Sequence, residues 1–249
     1  MPDRHPFTEV LARVADVEGW LTDDQARRLF DRCSDLGTGA TVVEIGSFHG
    51  RSTIVLASAA GAGVELVAID PHGGSDRGPQ EIAPDQALGD HDHAAFLANL
   101  ADAGVADRVR HIRKMSGAAL GDVEGEIDLL YIDGAHRFGP ARADIVDWGD
   151  RVSGGATLLI HDSFSSIGVT FALFTTMFGS GSWRYVGRSQ SMAEFERANL
   201  GPAERISNAI RQMLQLPWFL RNVIIKILLT VKLGRLTSLL GHRTDDWPY

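Results

Sequence analysis

Cysteine is almost missing from this chain of 249 residues; Cys33 is the only one. That excludes a disulfide framework and a thiolate metal cluster, and it fits a reducing compartment. Basic charge is also scarce, with 24 Lys and Arg against 32 Asp and Glu and a formal net charge of −8. Phosphate contacts need clustered cations, so nucleic acid is not the expected ligand. The opening M-P-D-R-H-P-F-T-E holds no apolar core of the signal-peptide kind, and a cytoplasmic location is expected. Internal repeats and low-complexity segments are absent, while 44% hydrophobic residues suffice to bury a full core.

What the chain does have is a regular alternation of short apolar runs with helical stretches. Strands are expected at Thr41 to Gly46, Val64 to Asp70, Val109 to Ile112, Ile127 to Asp133 and Ala156 to His161. Helices are expected over Gly50 to Ala60, His93 to Ala103, Pro140 to Asp150 and Ser163 to Phe178. Trp183 to Gly187 and Met192 to Phe195 follow without a helix between them, the pattern of an antiparallel edge hairpin. The fold class is therefore α/β: a Rossmann-like, doubly wound, mostly parallel sheet. Two N-terminal helices, Pro6 to Val14 and Thr22 to Leu36, and a C-terminal helical tail complete it. The expected divisions are 1–40 for the helical cap, 41–200 for the catalytic domain and 201–249 for the extension.

In such a sheet, ligands sit beyond the carboxyl ends of the strands. The run I-D-L-L-Y-I-D-G-A-H, from Ile127 to His136, puts Asp133 at a strand tip and lets His136 turn back toward it through Gly134. The next strand ends in His161 and Asp162. At the first strand-to-helix turn stands E-x-G-x-x-x-G-x-S, formed by Glu44, Gly46, Ser47, Gly50 and Ser52. The nicotinamide fingerprint G-x-G-x-x-G is absent there, which disfavours a dehydrogenase. The helix start offers free N–H groups to a carboxylate, and a glutamate facing the crevice would favour an ammonium group over a pyrophosphate. Asp70, at the second strand end, is spaced to accept two ribose hydroxyls. A ligand with ribose, amino and carboxylate groups means S-adenosylmethionine.

Over roughly residues 41 to 195 the chain resembles class I S-adenosylmethionine-dependent methyltransferases. E-x-G-x-x-x-G-x-S, then Asp70, then I-D-G-A-H, then His161-Asp162 is similar to the metal-dependent O-methyltransferases, which include the catechol enzymes and the sugar O-methyltransferases of macrolide and actinobacterial glycan synthesis. The resemblance implies that the turn glycines and Ser52 hold the methionine part, Asp70 the ribose, and Ser116 in M-S-G-A the adenine side. It also implies that Asp133, His161 and Asp162 bind Mg²⁺ or Mn²⁺. His161 departs from the acid of the catechol enzymes, so it either ligates or stands behind the ligands. His136 takes the place of their catalytic lysine and would act as general base.

The stretch between Asp70 and His93 lacks periodicity and is expected to be a mobile lid. It offers His72, Ser75, Asp76, Arg77, Gln80, Asp90, His91 and His93 but no Trp, Tyr or Phe, which favours a sugar or glycan acceptor over a catechol or other small phenol. The tail from Gly201 carries seven Arg and Lys against three Asp and Glu, +4 beside −12 for the rest. Its apolar stretch, Trp218 to Leu233, is interrupted by Arg221, Lys226 and Lys232, so spanning a membrane is not expected. Packing on the body or on a second subunit of a homodimer is expected, with peripheral membrane contact as the sharper alternative.

Overall fold

The computed structural model describes residues 6–75, 83–244 and 248. In chain order the elements are α1 (Phe7–Val14), α2 (Asp23–Ser34), β1 (Thr41–Ile45), α3 (Arg51–Ala59), β2 (Glu65–Ile69), α4 (Gln86–Asp102), β3 (Val109–Ile112) and α5 (Ser116–Ala119). Then come β4 (Ile127–Ile132), α6 (Phe138–Asp147), β5 (Val152–Ile160), α7 (Ile167–Thr176), β6 (Trp183–Ser189), β7 (Met192–Arg197), α8 (Pro202–Met213) and α9 (Leu216–Thr230).

The seven strands form one sheet in the order β3-β2-β1-β4-β5-β7-β6. The first five pair in parallel, while β7 runs antiparallel to β5 and β6 antiparallel to β7. Strand order reverses between β1 and β4, the switch point where a doubly wound sheet opens a crevice. Side chains alternate across the sheet: Val43, Ile45, Leu130 and Ile132 join one buried cluster, and Val42, Leu129 and Tyr131 join the other.

The expected strands are all present, with β5 beginning four residues early and β6 and β7 running two residues longer. Two helix starts differ. α4 begins at Gln86 rather than His93, because Asp85 caps it by accepting from the Leu88 amide at 3.1 Å. α7 begins at Ile167, because Asp162 has a left-handed backbone (φ 55°) instead of capping a helix at Ser163.

The N-terminal helices cover both an edge and the site's end. Arg28 and Arg32 of α2 bond the buried Glu194 of β7, Arg32 at 2.7 Å. At the same end of the sheet, Asn208 of α8 accepts from the Tyr185 amide at 2.6 Å and donates to the Trp183 carbonyl at 3.0 Å, so part of the open side of β6 is satisfied.

The tips of β1 and β4 meet at Gly46. Its φ is +84°, and a Cβ there would lie 2.2 Å from the Asp133 carbonyl oxygen. Gly46→Ala is expected to cost about 3 kcal/mol or more by urea denaturation. Gly37→Ala, whose Cβ would meet nothing within 4 Å, should stay within about 0.5 kcal/mol of the parent.

Candidate active site

One cavity of about 1200 Å³ opens over the switch point. Its floor is the β1 turn (Gly46, Ser47, Phe48, Ser52) and the tips of β2, β4 and β5 (Asp70, Asp133, His161, Asp162). Glu18 to Leu21, between α1 and α2, forms one wall, and α9 forms another through Val223, Lys226 and Ile227.

The turn after β1 is held from beneath. Asp70 Oδ2 accepts from the Ser47 and Phe48 amides at 2.8 and 2.9 Å, and its Oδ1 from the His72 amide at 2.7 Å. Three of the roughly four lone-pair positions of this carboxylate are thus taken. About one position is left for a ligand hydroxyl, beside the two ribose hydroxyls expected of Asp70 from sequence. α4 clamps the same turn: Asp92 lies 2.9 Å from His49 Nε2, and Asn99 donates to the His49 carbonyl at 2.8 Å.

Glu44 does not face the crevice. It shares the parity of Val42 on β1, so it points at α3, where it is fully buried and accepts from the Ser52 and Thr53 hydroxyls. Burial pushes its carboxyl up to about 8, against the two hydroxyl bonds and with the help of Asp133 and Asp70. The ammonium-binding role expected of it has no geometric basis here. Ser116 lines the cavity at the start of α5, and its hydroxyl donates to Asp144 Oδ1 at 2.5 Å.

At the tips of β4 and β5, two acids and two imidazoles converge. His136 Nε2 lies 2.6 Å from Asp162 Oδ2, and His161 Nδ1 lies 3.1 Å from Asp133 Oδ1 and 3.6 Å from Asp162 Oδ2. The Tyr131 hydroxyl donates to Asp133 Oδ2 at 2.9 Å. Burial alone would deprotonate both imidazoles. The carboxylates outweigh it, raising His136 above its ordinary value through Asp162 and His161 to about 10 through Asp133. Burial also opposes the charge on Asp162, but its two imidazole partners hold its carboxyl well below the usual range. Among the described residues, the donor atoms that fall within 4.8 Å of one another are those of Asp133, His136 and Asp162. Of the two positions left open for His161, the one behind the ligands fits its burial against Asp133, while His136 lies with the two acids at the cavity.

The sequence reading missed three contributors. Gly168 packs α7 onto the His136 loop, where a Cβ would lie 2.2 Å from the His136 carbonyl oxygen. Lys226 reaches the cavity from α9, donating to the Ser165 carbonyl at 3.1 Å. A lysine isolated in an apolar helix was its only signal. The aromatic cavity walls, Trp20, Phe48 and Phe138, come from segments outside the expected lid. Of that lid, His72 to Ser75 line the cavity and Asp90 pairs with Arg113 at 2.5 Å, whereas Asp76, Arg77 and Gln80 lie outside the described residues.

A folded state that keeps Glu44 protonated gains stability below its unfolded pKa and loses it as pH rises through about 8. Glu44→Gln removes that titration. Its stability relative to the parent should climb between about pH 5 and about pH 9 in thermal melts, and parallel profiles would contradict the burial argument.

A family model described as a methyltransferase domain matches residues 43–163. Solved structures of similar fold include the O-methyltransferase from Bacillus cereus in complex with SAH, 17% identical over 76% of this chain and 88% of that one, with a TM-score of 0.50. The O-methyltransferase TomG from Streptomyces achromogenes in complex with SAM is 16% identical over 78% and 89%, TM-score 0.51. The SAH-bound methyltransferase PaMTH1 from Podospora anserina is 18% identical over 79% and 88%, TM-score 0.56. Residues 43–163 of this chain are thus similar to a methyltransferase domain, and the doubly wound chain shares its fold with these solved structures.

Proposed function

We propose that the protein is an S-adenosylmethionine-dependent O-methyltransferase assisted by a divalent cation, with a sugar or glycan hydroxyl as acceptor. The observation that carries this reading is that a glycine turn at a helix start and an acid–imidazole cluster share one cavity. Two of the similar structures are O-methyltransferases holding SAM or SAH.

Carboxylate oxygens with a nearby imidazole suit Mg²⁺ or Mn²⁺. Asp133 and Asp162 would hold the ion, with His161 orienting Asp133 from behind. Bound there, the cation would supply Lewis-acid stabilisation to the acceptor oxygen. Gly46, Ser47, Gly50 and Ser52 position the methionine part, Asp70 fixes the turn beneath it, and Ser116 lies on the adenine side. His136 Nε2 takes the acceptor's proton once it has released the one shared with Asp162. S-adenosylmethionine held on the turn would supply the methyl group, its sulfur keeping the electron pair of the broken carbon–sulfur bond as the acceptor oxygen takes the carbon.

The cavity, about 1200 Å³, exceeds the usual range for one drug-sized ligand and leaves room for a sizeable acceptor beside the cofactor. Trp20 and Phe138 favour the second reading, a catechol or other small phenol lying against flat walls. Calorimetry should show S-adenosylmethionine binding and no NAD binding, and turnover on sugar against phenol acceptors decides between the two readings.

Asp133→Asn should weaken Mn²⁺ binding more than about tenfold. His136→Gln should lower kcat about 10²–10⁴-fold while Mn²⁺ and cofactor affinities change less than about threefold. A parallel fall in Mn²⁺ affinity would make His136 a ligand and remove it as base.

A further inference from the structure

The outer face of α8 and α9 is apolar where a surface helix is normally polar. On α9 the polar side chains turn inward: Arg221 donates to the Leu240 carbonyl at 2.7 Å, Asn222 to that of Phe164 at 3.2 Å and Lys226 to that of Ser165 at 3.1 Å. Leu220, Ile224 and Ile227 turn outward, 60, 38 and 55% exposed. Ile206, Ile210 and Met213 on α8 and Val231 beyond α9 extend this stripe at helical spacing, and all are more than half exposed. Leu239, 83% exposed, widens it beyond α9. The tail packs on the body through Trp218 and Phe219, with Ile225 buried, while this stripe stays uncovered.

Three occupants could cover such a face. A second copy pairing through the stripe would need charges of opposite sign beside it, as coiled-coil seams have. The flanking positions are instead Leu214, Leu216, Val223 and Leu228. From Pro202 to Thr244 there are seven Arg and Lys and one acid, Glu204, so two such tails would repel. A bilayer crossing is ruled out by bonding. The 29 residues of Pro202–Thr230 are long enough and hold an 18-residue window with a mean hydropathy of 1.3. Yet Asn208, Gln212 and Asn222 are buried and bonded to the body. An anionic lipid surface satisfies both features, taking the apolar face into the acyl boundary and the cations among the headgroups.

We propose that the outer face of α8 and α9 docks on an anionic lipid surface. Ile227 and Val231 are exposed on this face and also line the cavity. Docking therefore sets the cavity mouth against the leaflet, where an acceptor carrying an apolar chain would enter. That last extension rests on the hydroxyl-acceptor reading; the docking itself does not.

The test is co-sedimentation of the full chain with vesicles of phosphatidylcholine alone and of equal parts phosphatidylcholine and phosphatidylglycerol. The parent should bind the anionic vesicles, more than about tenfold better than the neutral ones, and bind less at about 0.5 M salt. Leu220→Glu/Ile224→Glu should lose more than about tenfold in partitioning, and Lys232→Glu/Arg235→Glu should lose the preference for anionic lipid. Calorimetry with S-adenosylmethionine, unchanged in the variants, shows that they are folded and tests the methyltransferase reading separately. Absence of vesicle binding, or equal binding by parent and Leu220→Glu/Ile224→Glu, overturns the proposal. So does a lipid-free dimer, seen by light scattering, that this variant splits, since it would assign the face to a second copy.

Discussion

The closeness of the β1 and β4 tips governs the rest of the site. A side chain at position 46 would collide with the Asp133 carbonyl, and only a glycine with a left-handed backbone lets the two tips touch. That contact places the helix-start turn, which can receive a carboxylate, directly beside an acid at the next strand end. Asp70 then pins the turn through backbone amides, while α4 clamps it through His49. Binding of one ligand and chemistry on another thus come to share one cavity because two strands are packed without an intervening side chain.

Charge is managed differently in the two halves. Beneath the turn, Glu44 avoids a buried negative charge by staying protonated while accepting two hydroxyl bonds. At the β4 and β5 tips the acids are balanced by His136 and His161, whose protonated forms they favour. Such a cluster is close to neutral when it holds protons and becomes anionic when it gives them up. The same donors can therefore serve a proton or a cation, and binding of the second releases the first.

Much of this was legible in the sequence because strand tips are marked by abrupt changes from apolar to polar residues. Asp133, His136, His161 and Asp162 all stand at or just beyond such changes, and the structure brings all four together. One misreading came from treating position along the chain as position in space. Glu44 lies inside β1, so strand alternation turns it under α3 rather than into the crevice. That His136 reaches Asp162 depends on the path of the Gly134–Arg137 loop, set by Gly168 of α7, some thirty residues away in sequence. The outward apolar face of the tail was hidden for a related reason. Hydropathy identifies an apolar helix, but not that Asn222 and Lys226 find carbonyl partners on the body and Arg221 one at Leu240 of the tail, leaving Leu220, Ile224 and Ile227 outward.

The central claim is that Asp133 and Asp162 share a cation beside a cofactor seated on the β1 turn. X-ray diffraction from crystals soaked with S-adenosylhomocysteine and Mn²⁺ tests it most directly. The account predicts one anomalous peak about 2.1 Å from an oxygen of each acid, with the homocysteine sulfur facing it from the Gly46 turn. No peak between those two carboxylates, or a cofactor seated elsewhere, would contradict it.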